Sequence, residues 1–364
     1  MKNTLVSLFL LAFLQQQVPT QEFSGLKKDP VPARNIIIIT TDGFRWQELF
    51  SGADSALINA ERFTPDTGTM KSMYWSSSAE ERRKRLMPFF WNVIASKGQL
   101  YGNRSYSNKV NTANLFSISY PGYNELLTGN PDPSVKGNEK IDNPNETVLE
   151  YLQGQPGFHD KVAAFASWDV FPYILNRKRS GIPINAGYEK VAGPSPETSM
   201  LNDVQDAPFL EKSGTRYDAL TFVAAKSYLQ SNKPRVMFLG LGETDEFAHQ
   251  GRYDLYLSQA TKVDQMIADL WHWVQSTPGY KDNTTFIITT DHGRGQKSKW
   301  TSHNEFVNGS SQTWFAVLGP GINPLGEIKE KEQHYQMQLA SLITQMVGVK
   351  FENQKLKGDE VVIW

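Results

Sequence analysis

The sequence predicts an α/β protein: a three-layer α/β/α sandwich around a large, mostly parallel sheet. Three observations predict it. The apolar runs are nearly continuous, as in strands that are buried on both faces. Segments with helical spacing of apolar residues separate them. Two of the runs, at residues 35–43 and 285–293, end in the same letters, TTD followed by glycine or by histidine and glycine.

Strand and helix alternate along the rest of the chain. Besides the two TTD runs, buried strands are predicted at residues 162–168, 236–241 and 314–318. Helices are predicted at residues 87–97, 217–229, 255–274 and 337–346. This order is typical of a parallel sheet whose crossover helices cover both faces.

The chain divides into a short leader and one large domain. Residues 1–21 carry Lys2, an apolar run of about ten residues and a polar end, which predicts a secretory signal peptide, because a spanning helix needs about 20 apolar residues. An uncleaved anchor is the alternative. Residues 22–34 are a predicted linker, and residues 35–364 a single domain with surface insertions near 52–85 and 168–211.

Composition narrows the possible partners. A net charge of −1 over 364 residues argues against general nucleic-acid binding, which requires a basic surface. The expected protein is exported, to the periplasm or the extracellular space, and is not inserted in a membrane once the signal is removed. Since the chain has no cysteine, any bound metal must be held by nitrogen and oxygen.

Six candidate metal ligands follow predicted strands or lie in the loops beyond them. Ligands in open α/β sheets bind beyond the carboxyl ends of the strands, so these positions favour a shared site. An ordinary turn containing aspartate is the alternative for each strand end. The candidates are Asp42, Asp245, His249, Asp291, His292 and His303.

Ser119 stands before Tyr120, Pro121 and Gly122, where a helix is predicted to begin. A hydroxyl at such a position is ordinarily a helix cap. The same position suits a nucleophile, because the positive end of the helix dipole and a nearby metal both stabilise an alkoxide.

Five ordered motifs, from about residue 36 to residue 320, carry a family resemblance. They are TTDG at 40–43, SYPGYNELLTG at 119–129, ETDEFAH at 243–249, TTDHG at 289–293 and SHNE at 302–305. With them the chain resembles the alkaline phosphatase superfamily, most closely the branch of nucleotide pyrophosphatases/phosphodiesterases and PGH-motif alkaline phosphatases. The resemblance implies a single catalytic domain of that fold.

The resemblance also implies two divalent metal ions. Asp245, His249 and His303 would hold one, and Asp42, Asp291 and His292 the other. Carboxylate and imidazole ligands suit zinc, with manganese and iron as alternatives. Two such ions clamp the attacking and leaving oxygens of an in-line displacement.

Further roles follow from the same resemblance. Ser119 corresponds to the family's nucleophile, which forms a covalent phospho-enzyme, and Asn138 to the asparagine that donates to a non-bridging phosphate oxygen. Arg177 and Arg179 loosely match a K-x-R pair that binds the phosphoryl group in monoesterases. The expected reaction is therefore hydrolysis of a small phosphorylated substrate, with monoesters favoured and diesters or pyrophosphates as the alternative.

Two departures from the family pattern leave further alternatives. Tyr123 replaces the histidine of PGH, and serine replaces the threonine that phosphodiesterases prefer. A sulfatase is less favoured because the nucleophile stretch lacks the arginine of the C/S-x-P-x-R pattern, and a phosphoglycerate mutase because those enzymes work inside the cell. An inactive metal-binding homologue is disfavoured because clustered carboxylates repel each other unless a metal binds.

Overall fold

The structure, a computed structural model, describes residues 34–351 apart from 194, 209 and 211. The predicted signal peptide and nearly all of the predicted linker lie outside these residues. The strands are β1 (Asn35–Thr41), β2 (Gln99–Tyr101), β3 (Lys109–Asn111), β4 (Val162–Ala166), β5 (Ile184–Ala186), β6 (Val236–Leu241), β7 (Thr284–Thr289), β8 (Gln312–Thr313), β9 (Phe315–Leu318), β10 (Gly326–Glu327) and β11 (Gln333–Tyr335).

Eight strands form one sheet in the order β10-β2-β9-β7-β1-β6-β4-β5. Strands β7, β1, β6, β4 and β5 are mutually parallel, and β9 alone runs against its neighbours β7 and β2. A second sheet of three short strands has the order β11-β3-β8. The large, mostly parallel sheet confirms the predicted fold class.

Helices cover the large sheet. They are α1 (Trp46–Ser51), α2 (Ser55–Ile58), α3 (Thr67–Tyr74), α4 (Ala79–Leu86), α5 (Ala95–Lys97), α6 (Ser119–Thr128), α7 (Val148–Gln153), α8 (Phe171–Ile174), α9 (Arg177–Ser180), α10 (Pro196–Gln205), α11 (Asp218–Asn232), α12 (Glu243–His249), α13 (Tyr253–Ser276) and α14 (Gln338–Met346). A π-helical turn, Phe90–Ile94, precedes α5 inside the stretch predicted as one helix.

Strand β1 shows why the molecule has three layers. Every residue of β1 is buried. Ile37 and Ile39 belong to one apolar core, which includes residues of α1, α11 and α13, whereas Ile36 and Ile38 belong to a second core with α6, α7 and α14. Because successive side chains of a strand point to opposite faces, four consecutive isoleucines require a helical layer on each side.

The two predicted insertions are part of the fold. Residues 52–85 lack an apolar period and were expected at the surface, yet they form α2, α3 and α4 and bury Leu57, Ile58, Met70 and Tyr74 in the core. Residues 168–211 include β5, which extends the large sheet beside β4. No helix within the described residues is long and apolar enough to cross a membrane.

Candidate metal centre

Three adjacent strands bring the candidate ligands together. Strands β6, β1 and β7 are neighbours, and Thr40 of β1 is in register with Gly240 on one side and Thr289 on the other. The carboxyl ends of the three strands therefore lie side by side at one edge of the sheet. The loops that follow carry Asp42 after β1, Asp245 after β6, and Asp291 with His292 after β7.

Asp42, Asp291 and His292 form one group of converging donor atoms. The Nε2 atom of His292 lies 3.3 Å from Asp42 Oδ1 and 3.4 Å from Asp291 Oδ2. Among the described residues neither of these two oxygens has a hydrogen-bond partner, although both are buried. Buried carboxylate oxygens are costly unless something compensates them, so the donor set fits a divalent cation.

Asp245 and His303 form a second group of donors, which shares His292. His303 Nε2 lies 3.6 Å from Asp245 Oδ1, and His249 Nε2 lies 3.1 Å from Asp245 Oδ2. The Nε2 atoms of His249 and His303 are 3.0 Å apart. Helix α12 explains the pairing of Asp245 with His249, because residues four apart lie on one face of a helix.

In His292 and His303, the Nδ1 atom lies within hydrogen-bonding distance of a backbone carbonyl oxygen. Nδ1 of His292 is 2.9 Å from the Gly293 oxygen, and Nδ1 of His303 is 3.2 Å from the Ser117 oxygen. Only a protonated Nδ1 can donate to these acceptors, which leaves the Nε2 lone pair directed at the cluster. Both rings therefore present the tautomer that a metal requires.

The buried carboxyl and imidazole groups of the cluster have shifted pKa values that a bound cation would explain. Burial, followed by repulsion from Asp245, holds the pKa of Asp42 well above its usual range, and burial with repulsion from Asp42 does the same for Asp291. Burial holds the pKa of His303 well below its usual range. A divalent ion would remove the first two penalties and use the neutral His303 as a ligand.

Arg294 is the buried cation of the centre and escaped the sequence analysis. Burial alone would raise the pKa of Asp245, but Arg294, His303 and His249 outweigh it and hold that pKa well below its usual range. The guanidinium of Arg294 donates to Asp245 Oδ1, to the Trp300 carbonyl oxygen at 2.8 Å and to the Thr301 carbonyl oxygen at 2.8 Å. Its position directly after the DHG motif was the available signal.

Two glycines allow the loops to approach this closely. Gly43 has a φ of +58°, its N–H donates to Asp291 Oδ1 at 3.0 Å, and a Cβ there would lie 2.7 Å from Asp245 Oδ1. At Gly122 in α6, a Cβ would lie 2.5 Å from the Asp291 carbonyl oxygen. Any side chain at Gly122 would push α6 away from the end of β7.

Ser119 is the first residue of α6 and does not cap it. The capping position belongs to Ile118, which makes no side-chain cap. The Ser119 hydroxyl instead lies 3.3 Å from His292 Nε2. The buried Glu125 carboxylate accepts hydrogen bonds from the N–H groups of Ala113 and Asn114 and so fixes the loop before the helix. The hydroxyl is thus held at the edge of the donor cluster.

A cavity of about 170 Å³ opens over the cluster. Asn138 lines it and accepts a hydrogen bond from the Tyr120 N–H through Oδ1 at 3.0 Å. Since that bond identifies Oδ1 as the acceptor end, the amide nitrogen is the end that is left to donate. The other lining residues are Asp42, Ser119, Trp168, Thr215, Gly242, Asp245, Glu246, His249 and His303.

Arg177 and Arg179 do not line this cavity. Arg177 pairs with Glu189 at 2.6 Å and donates to the Ile184 carbonyl oxygen. Arg179 pairs with Glu150 at 2.6 Å and donates to two backbone oxygens. The structure does not bring either arginine to the position expected for phosphoryl binding, because acidic partners elsewhere on the surface hold both.

Asp218 and Glu243 form a reciprocal cap that sequence reasoning also missed. Asp218 Oδ1 accepts from the Gly242 N–H at 2.8 Å and Oδ2 from the Glu243 N–H at 3.2 Å. Glu243 Oε2 accepts from the Asp218 N–H at 2.7 Å. The start of α12, which carries Asp245 and His249, is thereby tied to the start of α11. Acidic residues at the first turns of both helices were the available signal.

Comparison with known proteins identifies relatives that share this fold. A family model described as Sulfatase matches residues 34–348. Human GPI ethanolamine phosphate transferase 1 is 21% identical over 91% of this chain, which spans only 33% of that protein's length.

Solved structures agree on the fold. Wild-type alkaline phosphatase PafA has a TM-score of 0.58 at 11% identity, covering 92% of this chain and 100% of that one. The lipoteichoic acid synthase LtaP from Listeria monocytogenes has a TM-score of 0.57 at 13% identity, covering 93% and 78%. The 2-O GAG sulfatase BT1596 has a TM-score of 0.54 at 14% identity, covering 89% and 72%.

The family match extends over most of the chain and includes all six candidate metal ligands as well as Ser119. Its members act on phosphate or sulfate esters and use divalent metals, and the cluster described above suits that chemistry. This chain belongs to the Sulfatase family of the alkaline phosphatase superfamily.

Proposed function

We propose that the protein is an exported, two-metal hydrolase of phosphate esters that uses Ser119 as its nucleophile, and that its substrates are phosphodiesters. The observation that carries the proposal is the position of the Ser119 hydroxyl, 3.3 Å from His292 Nε2 at the edge of two groups of metal-ligand donors. Zinc is the ion proposed, because carboxylate and imidazole donors suit it.

In this proposal the chain's own groups arrange the substrate. The Ser119 hydroxyl gives up its proton and Oγ attacks phosphorus, so that the P–O(Ser) bond forms as the bond to the leaving alcohol breaks and that alcohol takes up a proton. Water then cleaves the P–O(Ser) bond, which releases a phosphate monoester and restores the serine hydroxyl. The amide nitrogen of Asn138 donates to a non-bridging oxygen. When bound, the divalent ions would lower the pKa of the Ser119 hydroxyl and neutralise charge on the phosphoryl oxygens.

The charge of the centre favours a diester over the monoester expected from Arg177 and Arg179. Three aspartates offset three of the four positive charges that two divalent ions bring, Arg294 adds one, and Glu246 at the cavity wall removes one. While the Ser119 hydroxyl is protonated, the resulting charge of about +1 matches the single negative charge of a bound diester better than the two of a monoester. Among the described residues, neither lysine nor arginine lines the cavity.

Two of the relatives support phosphorus rather than sulfur as the reacting centre, since one is named a phosphate transferase and one a lipoteichoic acid synthase. The second candidate is a monoesterase, favoured by the fold shared with PafA. A sulfatase remains the third, favoured by BT1596.

The test compares kcat/KM for 4-nitrophenyl phosphate, bis(4-nitrophenyl) phosphate and 4-nitrophenyl sulfate, in wild type and in Ser119→Ala. We expect the diester to be preferred by at least about tenfold, and Ser119→Ala to lose turnover by several orders of magnitude. Ser117→Ala is the matched control, because the Ser117 hydroxyl pairs with Thr112 at 3.4 Å and the Ser117 backbone oxygen stays in place for His303.

Preference for the monoester would overturn the diester assignment and leave the nucleophile in place. Equal losses in Ser117→Ala and Ser119→Ala would overturn Ser119 as the nucleophile. Turnover of the sulfate alone would overturn the phosphate assignment.

A further inference from the structure

One wall of the cavity is formed by Trp168, Thr215 and Glu246, here called the Trp168–Glu246 wall. Trp168 and Thr215 form an antiparallel β-bridge, and hydrogen bonds on either side of it, Asp169 N–H to Gly214 at 2.9 Å and Arg216 N–H to Ser167 at 2.8 Å, extend the pairing. The wall is therefore built on ordered backbone.

Glu246 is held in place by a neutral donor. Its Oε1 accepts from the Thr215 hydroxyl at 2.7 Å. Within the described part of the chain Glu246 forms no ion pair, and neither lysine nor arginine lines the cavity beside it. A charged side chain is thus fixed at the wall without a charged partner.

Glu246 also acts on the centre. It follows Asp245 directly in α12 and lines the same cavity as Asp42, Asp245 and His303. A fixed negative charge next to the position of a phosphate anion weakens binding unless part of the substrate compensates it. An isolated carboxylate and a hydroxyl offer too few donors for a further divalent ion.

Trp168 supplies the second half of a cation site. Its side chain is half-buried and packs edge-on against Phe171, with ring centroids 6.5 Å apart. The face of an indole ring attracts ammonium groups, more strongly than the ring of tyrosine or phenylalanine. Glu246 and Trp168 line the same cavity, which therefore offers both a carboxylate and an indole side chain.

Resting on the proposed function, we propose that the Trp168–Glu246 wall selects phosphodiesters in which one ester substituent carries an ammonium group close to the phosphate. Such a substrate places its negative charge at the metal centre and its positive charge at Glu246. A neutral hydroxyl could also donate to Glu246, but it would leave the carboxylate charge uncompensated.

The test uses three 4-nitrophenyl phosphodiesters whose second substituent is 2-aminoethyl, 2-hydroxyethyl or n-propyl. These groups are similar in size, so differences in kcat/KM report charge and hydrogen bonding. We expect the 2-aminoethyl ester to exceed the n-propyl ester by about tenfold or more, and the 2-hydroxyethyl ester to lie near the n-propyl ester.

Glu246→Gln keeps an acceptor for Thr215 and removes only the charge, so it should abolish the difference in kcat/KM between the 2-aminoethyl and n-propyl esters. Trp168→Leu should reduce the preference in part. Glu81→Gln is the matched control, because Glu81 is exposed on α4 and does not line the cavity, and it should keep the full preference.

Equal rates with the three diesters in wild type, or a preference that survives Glu246→Gln, would overturn this proposal and leave the diesterase proposal standing. A preference for the 2-hydroxyethyl ester would assign the wall to a neutral polyol. Preference for the monoester over all three diesters would instead reject the proposed function itself.

Discussion

Tyr123 occupies the position of the histidine in the PGH motif, and it is hydrogen-bonded to a candidate metal ligand. Its hydroxyl donates to Asp42 Oδ2 at 3.2 Å, and its ring packs against Phe171 with centroids 4.7 Å apart. Burial, together with repulsion from Asp291 and Asp42, holds the pKa of Tyr123 well above its usual range, so the hydroxyl stays protonated and can donate. At the position of the PGH histidine, this chain therefore carries a hydrogen-bond donor to Asp42.

Tyr123→Phe should weaken metal binding while the fold is retained. A hydrogen bond to a charged acceptor contributes about 1.5–3 kcal/mol, so we expect metal affinity to fall by about tenfold or more, measured by competition with a chromogenic chelator. Tyr120→Phe is the matched control, since its hydroxyl donates to the carbonyl oxygens of Ile141 and Tyr173. Equal losses of metal affinity in both variants would contradict the assigned role.

At the scale of elements, α12 is placed by groups outside it. The Asp218 carboxylate accepts two N–H groups at its start, as well as hydrogen bonds from Ser167 at 2.6 Å and Gln259 at 2.7 Å. Because α12 has only seven residues, its own backbone hydrogen bonds hold it weakly, and the capping contacts set its direction. Asp218 is therefore a positioning residue for Asp245 and His249.

Asp218→Asn should lower both metal affinity and stability. The amide would turn an N–H group toward a backbone donor, and we expect a loss of about 1–3 kcal/mol in the free energy of unfolding, measured by denaturant titration. Metal affinity, measured by the same chelator competition, should fall by about tenfold. Unchanged metal affinity in a destabilised variant would show that Asp218 has only a structural role.

Asp264 is a matched control and carries its own pH prediction. It accepts hydrogen bonds from the N–H groups of Phe89 and Phe90, at 2.8 and 2.7 Å, at the start of the π-helical turn. Asp264→Asn should lower stability and leave metal affinity unchanged, because Asp264 contacts none of the candidate ligands.

Burial raises the pKa of Asp264 from its ordinary value of 3.8 to about 6. The folded state therefore binds this proton more tightly than the unfolded state does, and its stability should fall as the pH rises from about 4 to about 6. The difference between wild type and Asp264→Asn should change by up to about 3 kcal/mol across that window, in urea titrations at fixed pH. A difference that stays constant, or rises with pH, would contradict the assignment.

At the scale of the whole molecule, the candidate metal centre lies where the central strands meet α6, whose Ser119 is 3.3 Å from His292. Asp42, Asp245 and Asp291 follow three adjacent strands, and their charges repel when no cation is present. Metal binding should therefore stabilise the folded domain through linkage.

Chelator treatment should lower the Tm and abolish turnover, and zinc should restore both. Elemental analysis should find two metal ions per chain. The Asp291→Asn variant should bind one ion fewer than wild type. Its fall in Tm on chelation should also be smaller than that of wild type, because the repulsion between the Asp291 and Asp42 carboxylates is already absent. A Tm that does not respond to chelator would contradict a resident metal.

The sequence by itself determined the fold class and the edge of the sheet at which most of the candidate ligands lie. A continuous apolar run such as β1 can be buried only between two helical layers. The TTD motifs at the ends of β1 and β7 lie at the same edge of the sheet because the two strands are parallel. These are local patterns, so Asp42, Asp291 and His292 could be identified before the strand order was known.

Only the tertiary structure decided the partners of the charged side chains, because these depend on which residues that are distant in sequence come into contact. Arg177 and Arg179 carry a local basic pattern, but Glu189 and Glu150 hold them away from the cavity. Arg294 reaches Asp245 across 49 positions of sequence, and Glu246 meets Thr215 across 31. Whether a charge serves the substrate, a ligand or a surface ion pair is set by its neighbours in space, and no local pattern of residues contains that information.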